Sequence, residues 1–240
     1  MKAMILAAGL GTRLKALTDK TPKALIKIKG KTLLEIGINN LINNGFDKII
    51  INVHHHSKQI IQFLDENKFD AEITISDETD KLLDTGGGLK KAKSFFDNDS
   101  PFLVYNVDVL SNLDLRKLYT FHTASGTIGT LVVRKRESDR YLLFNSENIL
   151  CGWRNTKSGE TKLIRNNKLQ YEFAFSGIQV LDPKIFSFMP DEDVFSLIDL
   201  YLKVGSKNEI RAFIDDESYW LDVGKPENLK AAENILKVID

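Results

Sequence analysis

Cysteine occurs once, at Cys151, so no intramolecular disulfide can form; that usage fits a reducing compartment, and the cytoplasm is the expected location. An excess of charge of either sign is also missing. Lys plus Arg and Asp plus Glu number 33 each, which leaves no overall attraction for a polyanion. A nucleic-acid or membrane partner is therefore not expected. Long apolar runs are absent too: the N-terminal stretch Met4-Ile5-Leu6-Ala7-Ala8 is ended by Gly9 and Gly11 and followed by Arg13 and Lys15. It is too short to span a bilayer or to form the apolar part of a secretory signal, and it reads as a first strand buried on both faces. No internal repeat and no compositionally biased linker divides the chain.

What is present is 240 residues with 42% hydrophobic content, enough to bury a full core in one α/β domain. Apolar runs alternate with helix-period segments in the first half. The pattern predicts strands at Lys2–Ala8, Lys48–Val53, Ala71–Ser76 and Phe102–Asn106. Between them it predicts helices from Thr32 to about Asn44, stopped by Asn43-Asn44-Gly45, from an N-capping Ser57 to about Glu66, and from Leu89 to about Phe96 after a glycine turn at Asp84–Gly88. Such a rhythm implies right-handed βαβ units on a largely parallel sheet. Beyond about residue 125 the segments Thr127–Arg134, Tyr141–Phe144 and Phe173–Leu181 read as β-rich, so the sheet becomes mixed. Helices near Val194–Val204 and Pro226–Val238 close the chain.

The first strand runs into Gly9-Leu10-Gly11-Thr12-Arg13-Leu14, a loop whose backbone N–H groups can cradle phosphates. It is neither a dinucleotide fingerprint, since Leu14 stands where the third glycine belongs, nor a P-loop, since the Lys-Ser/Thr ending is missing. Arg13 offers a planar fork for two phosphate oxygens, and Lys23, stiffened by Pro22, offers a point charge. Together, Leu6 to Thr18 and Thr21-Pro22-Lys23-Ala24-Leu25 resemble the signature of the sugar-1-phosphate nucleotidyltransferases, the sugar-nucleotide pyrophosphorylase family. Ala16 departs from it, standing where many members have proline.

Two acidic positions extend the resemblance. Asn106-Val107-Asp108 follows an apolar strand, and Trp220-Leu221-Asp222-Val223-Gly224 places a second aspartate after another. Carboxylates at strand ends suit a hard cation that completes its shell with water and phosphates, and both match the family's metal positions. Leu83-Asp84-Thr85-Gly86-Gly87-Gly88 resembles the family's base-contacting loop and is closest in form to that of N-acetylmuramate-1-phosphate uridylyltransferases.

The resemblance implies a Rossmann-like, three-layer nucleotide-diphospho-sugar transferase fold with a mixed central sheet. It implies a single domain over 1–240, mainly nucleotide-binding in 1–125 and sugar-binding in 126–240. Nucleotide contacts fall on Leu6, Ala7, Ala8, Gly9, Gly11, Thr12, Arg13, Lys23, Thr85, Gly86, Gly87 and Gly88. Arg13, Lys23 and Asp108 take catalytic roles, and Asp108 and Asp222 hold Mg2+. The sugar falls to Asn106, Gly152, Ser176, Gly177 and Trp220. The implied reaction joins a nucleoside triphosphate, UTP by the form of the loop, to a sugar 1-phosphate such as N-acetylmuramate 1-phosphate and releases pyrophosphate.

The family's glutamate-lysine-proline segment is not recognisable, leaving Lys162, Arg165 or Lys168 to supply the positive charge near the sugar. Arg134-Lys135-Arg136 reads as a solvated strand end that can also face an anionic ligand. His54-His55-His56 invites a zinc reading, but neighbouring residues on an extended segment point to opposite faces, so a loop at the sheet's carboxyl edge is preferred. Choline-phosphate cytidylyltransferase, disfavoured by the Thr85–Gly88 loop, and a non-catalytic nucleotide-binding regulatory module are the alternative functions.

Overall fold

A computed structural model describes residues 1–96, 100–166, 170–225 and 227–239. In the first half β1 (Lys2–Leu6), α1 (Lys15–Thr18), the short strands β2 (Lys27–Ile28) and β3 (Lys31–Thr32), α2 (Leu33–Asn43), β4 (Lys48–Val53), α3 (Ser57–Glu66) and β5 (Glu72–Asp77) follow in order. Then come α4 (Asp84–Lys91), β6 (Phe102–Asn106), β7 (Val109–Ser111) and α5 (Leu115–Ser125). The second half contributes β8 (Gly129–Arg134), β9 (Arg140–Phe144), β10 (Leu150–Asn155), β11 (Thr161–Leu163), β12 (Tyr171–Leu181), α6 (Leu197–Gly205), β13 (Ile210–Ile214), β14 (Trp220–Asp222) and α7 (Asn228–Ile239).

Strands β5, β4, β1 and β6 are mutually parallel, and β12 joins antiparallel to β6, so the sheet is mixed. Both faces of β1 are covered, as its unbroken apolar run requires. Met4 and Leu6 point to the core under α4 and α6, while Ala3 and Ile5 point to the core under α2, α3 and α5. This period-two division of side chains makes three layers. A smaller cluster of Leu14, Ile26, Ile28, Leu33, Leu110 and Val223 packs the loop after β1 against the segment around β14. Each fully buried aliphatic side chain contributes about 1.5–3 kcal/mol.

Helix α2 starts as its sequence demands. Thr32 caps it by accepting from Glu35 N–H, Glu35 returns the bond, and Gly45 with φ 82° follows its end. Four expectations are corrected. The first strand ends at Leu6 rather than Ala8, because the Ala7 N–H leaves the ladder to donate to Asn52 Oδ1 at 2.7 Å. Ser57 is not a cap: left-handed His56 (φ 55°) occupies that position, and Ser57 Oγ accepts from Thr79 instead. Helix α4 starts at Asp84, not Leu89, and its α-helical part ends at Lys91, with a 3-10 turn over Lys93–Phe96. The glycines expected in a turn therefore lie inside a helix. The sixth helix starts at Leu197, capped by Ser196, rather than at Val194. The last helix is described from Asn228, with Pro226 outside the described residues.

β12 shapes the site. Its first residues pair with β9 and its last with β6 and β8, and the register breaks between Phe175 and Gln179. Gly177 sits in that break with φ 75°, where a Cβ would lie 2.9 Å from both Asn106 Nδ2 and Val109 Cγ2. Glycine there meets both the left-handed backbone and the close approach of β6.

Candidate functional site

The loop after β1 rises at the carboxyl end of the parallel strands, where open α/β sheets bind ligands. Gly11 takes φ 66°, and its carbonyl accepts from Leu14 N–H and from Thr18 Oγ1, which closes the loop on itself. That turn places Arg13 with more than half of its side chain exposed. Pro22 is extended before the 3-10 turn Lys23–Leu25 and directs Lys23 inward, its side chain only 12% exposed.

Asp108 and Asp222 are far apart in sequence and adjacent in space. The two-stranded sheet of β7 and β14 pairs Val109 with Asp222, and the Val223 N–H donates to the Asp108 carbonyl at 2.8 Å. Arg13 bridges the two carboxylates, with Nη1 3.2 Å from Asp222 Oδ2 and Nη2 3.9 Å from Asp108 Oδ2, and Lys23 is ion-paired to Asp108. Burial would raise the Asp222 pKa, but the Gly224 N–H and the charges of Arg13 and Lys23 outweigh it and hold the carboxyl below its ordinary value. Gly224 is needed at this junction. A Cβ on it would lie 2.5 Å from Arg13 Nη2, 2.6 Å from Asp222 Oδ1 and 2.7 Å from Lys23 Nζ.

Two adjacent carboxylates, one of them, Asp108, lining a cleft, next to cations able to turn to phosphate oxygens, suit magnesium, which uses one or two protein carboxylates and fills its shell with water and phosphate. The donor set of Asp108 and Asp222 fits that ion. Among the described residues no group of three or more His, Cys, Asp and Glu is placed to hold a metal by itself.

A cleft of about 430 Å³ opens beside this centre. It runs from the Ala7–Gly9 backbone past Asn52 and Glu78 to Thr85, and across to Lys23, Asn106 and Asp108. Thr85 lines it, and its Oγ1 accepts from Leu197 N–H. The neighbouring glycines do other work: the Gly86 and Gly87 N–H groups donate to the Phe195 carbonyl, and Cβ atoms on them would overlap Phe195 and the Asp193 carbonyl. A Cβ on Gly88 would lie 2.7 Å from Glu78 Oε1. The three glycines let α4 approach its neighbours rather than flex.

On the other side, Asn106 at the end of β6 stands against Gly177, and Trp220 Nε1 donates to the Ser176 carbonyl at 2.8 Å. Gly152 lies in β10, where its missing side chain makes room for the Lys162 carbonyl. Lys162 is drawn to Glu160 and Asp199, and Arg165 donates to the carbonyls of Gly205 and Asn208. Lys168 is outside the described residues. His54 Nδ1 bonds the Glu78 carbonyl, and His55 borders a shallow cleft with Leu10, Thr12 and Thr18, so the histidine run lies beside the glycine loop.

Asn52 and Glu78 escape the motif reading, while Gly224 and Arg136 lie inside runs read from the sequence without a residue role of their own. Gly224 has a sequence signal, closing the run that contains Asp222. Asn52 and Glu78 are polar interruptions at the ends of β4 and β5. Arg136, in the segment after β8, lies over the Trp220 ring at 4.3 Å and donates to the Phe175 carbonyl at 3.0 Å.

Residues 2–144 match the family model described as nucleotidyl transferase. The chain is 31% identical, over 98% of its length, to the UTP–glucose-1-phosphate uridylyltransferase of Synechocystis sp., but spans only 63% of that relative. It is 28% identical to the N-acetylmuramate alpha-1-phosphate uridylyltransferase of Caulobacter vibrioides, with 96% of this chain and 95% of that one covered. Its fold matches the crystal structure of a putative glucose-1-phosphate thymidylyltransferase from Bacillus anthracis with a TM-score of 0.82 at 20% identity, covering 100% of this chain and 96% of that one.

Proposed function

Since this chain belongs to the nucleotidyl transferase family, we propose that it condenses a nucleoside triphosphate with a sugar 1-phosphate, releasing pyrophosphate. The observation that carries this reading is the meeting of Arg13, Lys23, Asp108 and Asp222 at the mouth of the cleft. An oxygen of the sugar phosphate attacks the α-phosphorus; the new O–P bond forms as the bond to the bridging oxygen of the β-phosphate breaks, and pyrophosphate departs. The attacking phosphate is ionised at neutral pH, so no protein base or nucleophile is required. Catalysis rests on alignment and on offsetting charge.

Arg13 holds the departing pyrophosphate and Lys23 the phosphates at the reacting centre, both exchanging their carboxylate partners for phosphate oxygens. Magnesium, which Asp108 and Asp222 would hold, would supply further neutralisation of the triphosphate.

UTP is the proposed nucleotide and N-acetylmuramate 1-phosphate the proposed sugar. The likeness to the Caulobacter vibrioides protein over nearly both full lengths supports that pair. Glu78 bears on the base alone: it lines the cleft, its Oε1 accepts from Asn52, and Oε2 lacks a well-formed hydrogen bond, with the Leu83 N–H near it. Turned toward the cleft from its buried position, that oxygen would accept the N3–H of uracil, and equally the N1–H of guanine, whereas cytosine presents an acceptor at N3. This weighs against cytidylyl transfer to phosphocholine.

A screen of pyrophosphate release with four nucleoside triphosphates against a panel of sugar 1-phosphates, N-acetylmuramate 1-phosphate and phosphocholine included, tests the reading. Release dependent on UTP and one sugar 1-phosphate is expected. Nucleotide binding with no release from any pair would leave a regulatory module instead.

A further inference from the structure

We propose that Arg136 binds the phosphate of the sugar 1-phosphate, in place of the lysine segment that the sequence lacks. The inference rests on the transferase reading. A sugar 1-phosphate brings up to two negative charges to a wall whose named sugar contacts, Asn106, Ser176, Gly177 and Trp220, carry none. A cation is needed there, and the obvious ones are engaged elsewhere.

Arg154 is paired with Glu172, Lys162 with Glu160 and Asp199, and Arg165 with two backbone carbonyls. Arg134 is locked by Asp215, to whose carbonyl both Nε and Nη2 donate, and by the Ser218 carbonyl. Arg136 also donates to two carbonyls, those of Glu137 and Phe175, but unlike Arg165 it keeps an unpaired Nε. Among the described residues it has no carboxylate within ion-pair distance, and its Nε is buried with no hydrogen-bond partner.

Its position also fits. The bond to the Phe175 carbonyl sets the guanidinium beside the Ser176–Gly177 bend of β12, and the Trp220 ring beneath it belongs to β14, two residues before Asp222. Burial disfavours its charge and the Asp222 carboxylate favours it, so the proposed metal ligand and this guanidinium feel each other's charge. With one Nη2 hydrogen on the Phe175 carbonyl, one Nη1 hydrogen on the Glu137 carbonyl and the guanidinium over the Trp220 ring, one hydrogen on each terminal nitrogen remains for two phosphate oxygens in the end-on fork that guanidinium can offer.

The test uses the full chain and the triphosphate and sugar 1-phosphate pair identified by the pyrophosphate screen, comparing wild type with Arg136→Met and Arg136→Lys. Arg136→Met should raise KM for the sugar 1-phosphate roughly 10- to 100-fold, the loss expected for hydrogen bonds to a charged group, while KM for the triphosphate stays near wild type. Arg136→Lys should fall between, keeping charge without the fork. A purely structural role predicts equal effects on both substrates, or lower stability with unchanged KM, and either result overturns the assignment. Should the Met variant fail to fold, the Lys variant decides by the same split: a selective rise supports the assignment and an unchanged KM overturns it. The two failures are separable, because a wild-type chain that uses no sugar 1-phosphate overturns the transferase reading, whereas an active wild type with an indifferent Arg136 overturns only this inference.

Discussion

At the scale of single residues, charge placement is the clearest quantity. Asp108→Asn and Asp222→Asn keep side-chain shape and remove the charge that pairs with Lys23 and Arg13. Each should leave the fold intact and lower turnover by about 10²–10³-fold, measured at saturating magnesium; near-normal turnover in a folded variant would sink the metal assignment. Glu78 offers a pH test. Burial raises its pKa above the ordinary 4.5, against the opposing Asn52 hydrogen bond, so ionising it costs the folded state. A raised carboxyl contributes its stability below the ordinary pKa and loses it as pH climbs through the folded value. Glu78→Gln should therefore melt higher than wild type at pH 7 to 8 and match it in acid below about pH 4. A gap independent of pH would show that the carboxyl is not strained.

At the scale of elements, α4 and the loop after β1 both carry glycines, for different reasons. A Cβ on Gly87 would overlap the Asp193 carbonyl, a backbone atom that cannot rotate away, whereas a Cβ on Gly9 meets nothing within 4 Å. Gly87→Ala should lower stability by about 3 kcal/mol in denaturant unfolding. Gly9→Ala should unfold like wild type and weaken triphosphate binding, since the added methyl lies where the phosphates would approach the backbone. Equal stabilities for the two variants would refute the packing role of α4. The β7–β14 pair shows how short elements act: three residues each, they set Asp108 beside Asp222, yet neither is long enough for a period-two pattern to announce it.

At the scale of the whole molecule, the ladder between β6 and β12 joins the expected nucleotide half to the expected sugar half within one ten-stranded sheet of the described residues. One calorimetric transition, with matching van't Hoff and calorimetric enthalpies, is the expected outcome; two resolved transitions would show that the halves unfold separately. The sequence by itself determined the parallel strands of the first half, because strands buried on both faces must be apolar throughout, and the capping of α2, because its bonds span only three residues. It also marked Gly11, Arg13, Lys23, Asp108 and Asp222, through motifs that lie next to strand ends. Only the tertiary structure decided that Asp222 meets Asp108, that the glycines of α4 serve packing, and that Arg136 stands over Trp220. Each of these depends on pairings across long stretches of chain, where register and burial, rather than any local preference, fix which side chains meet.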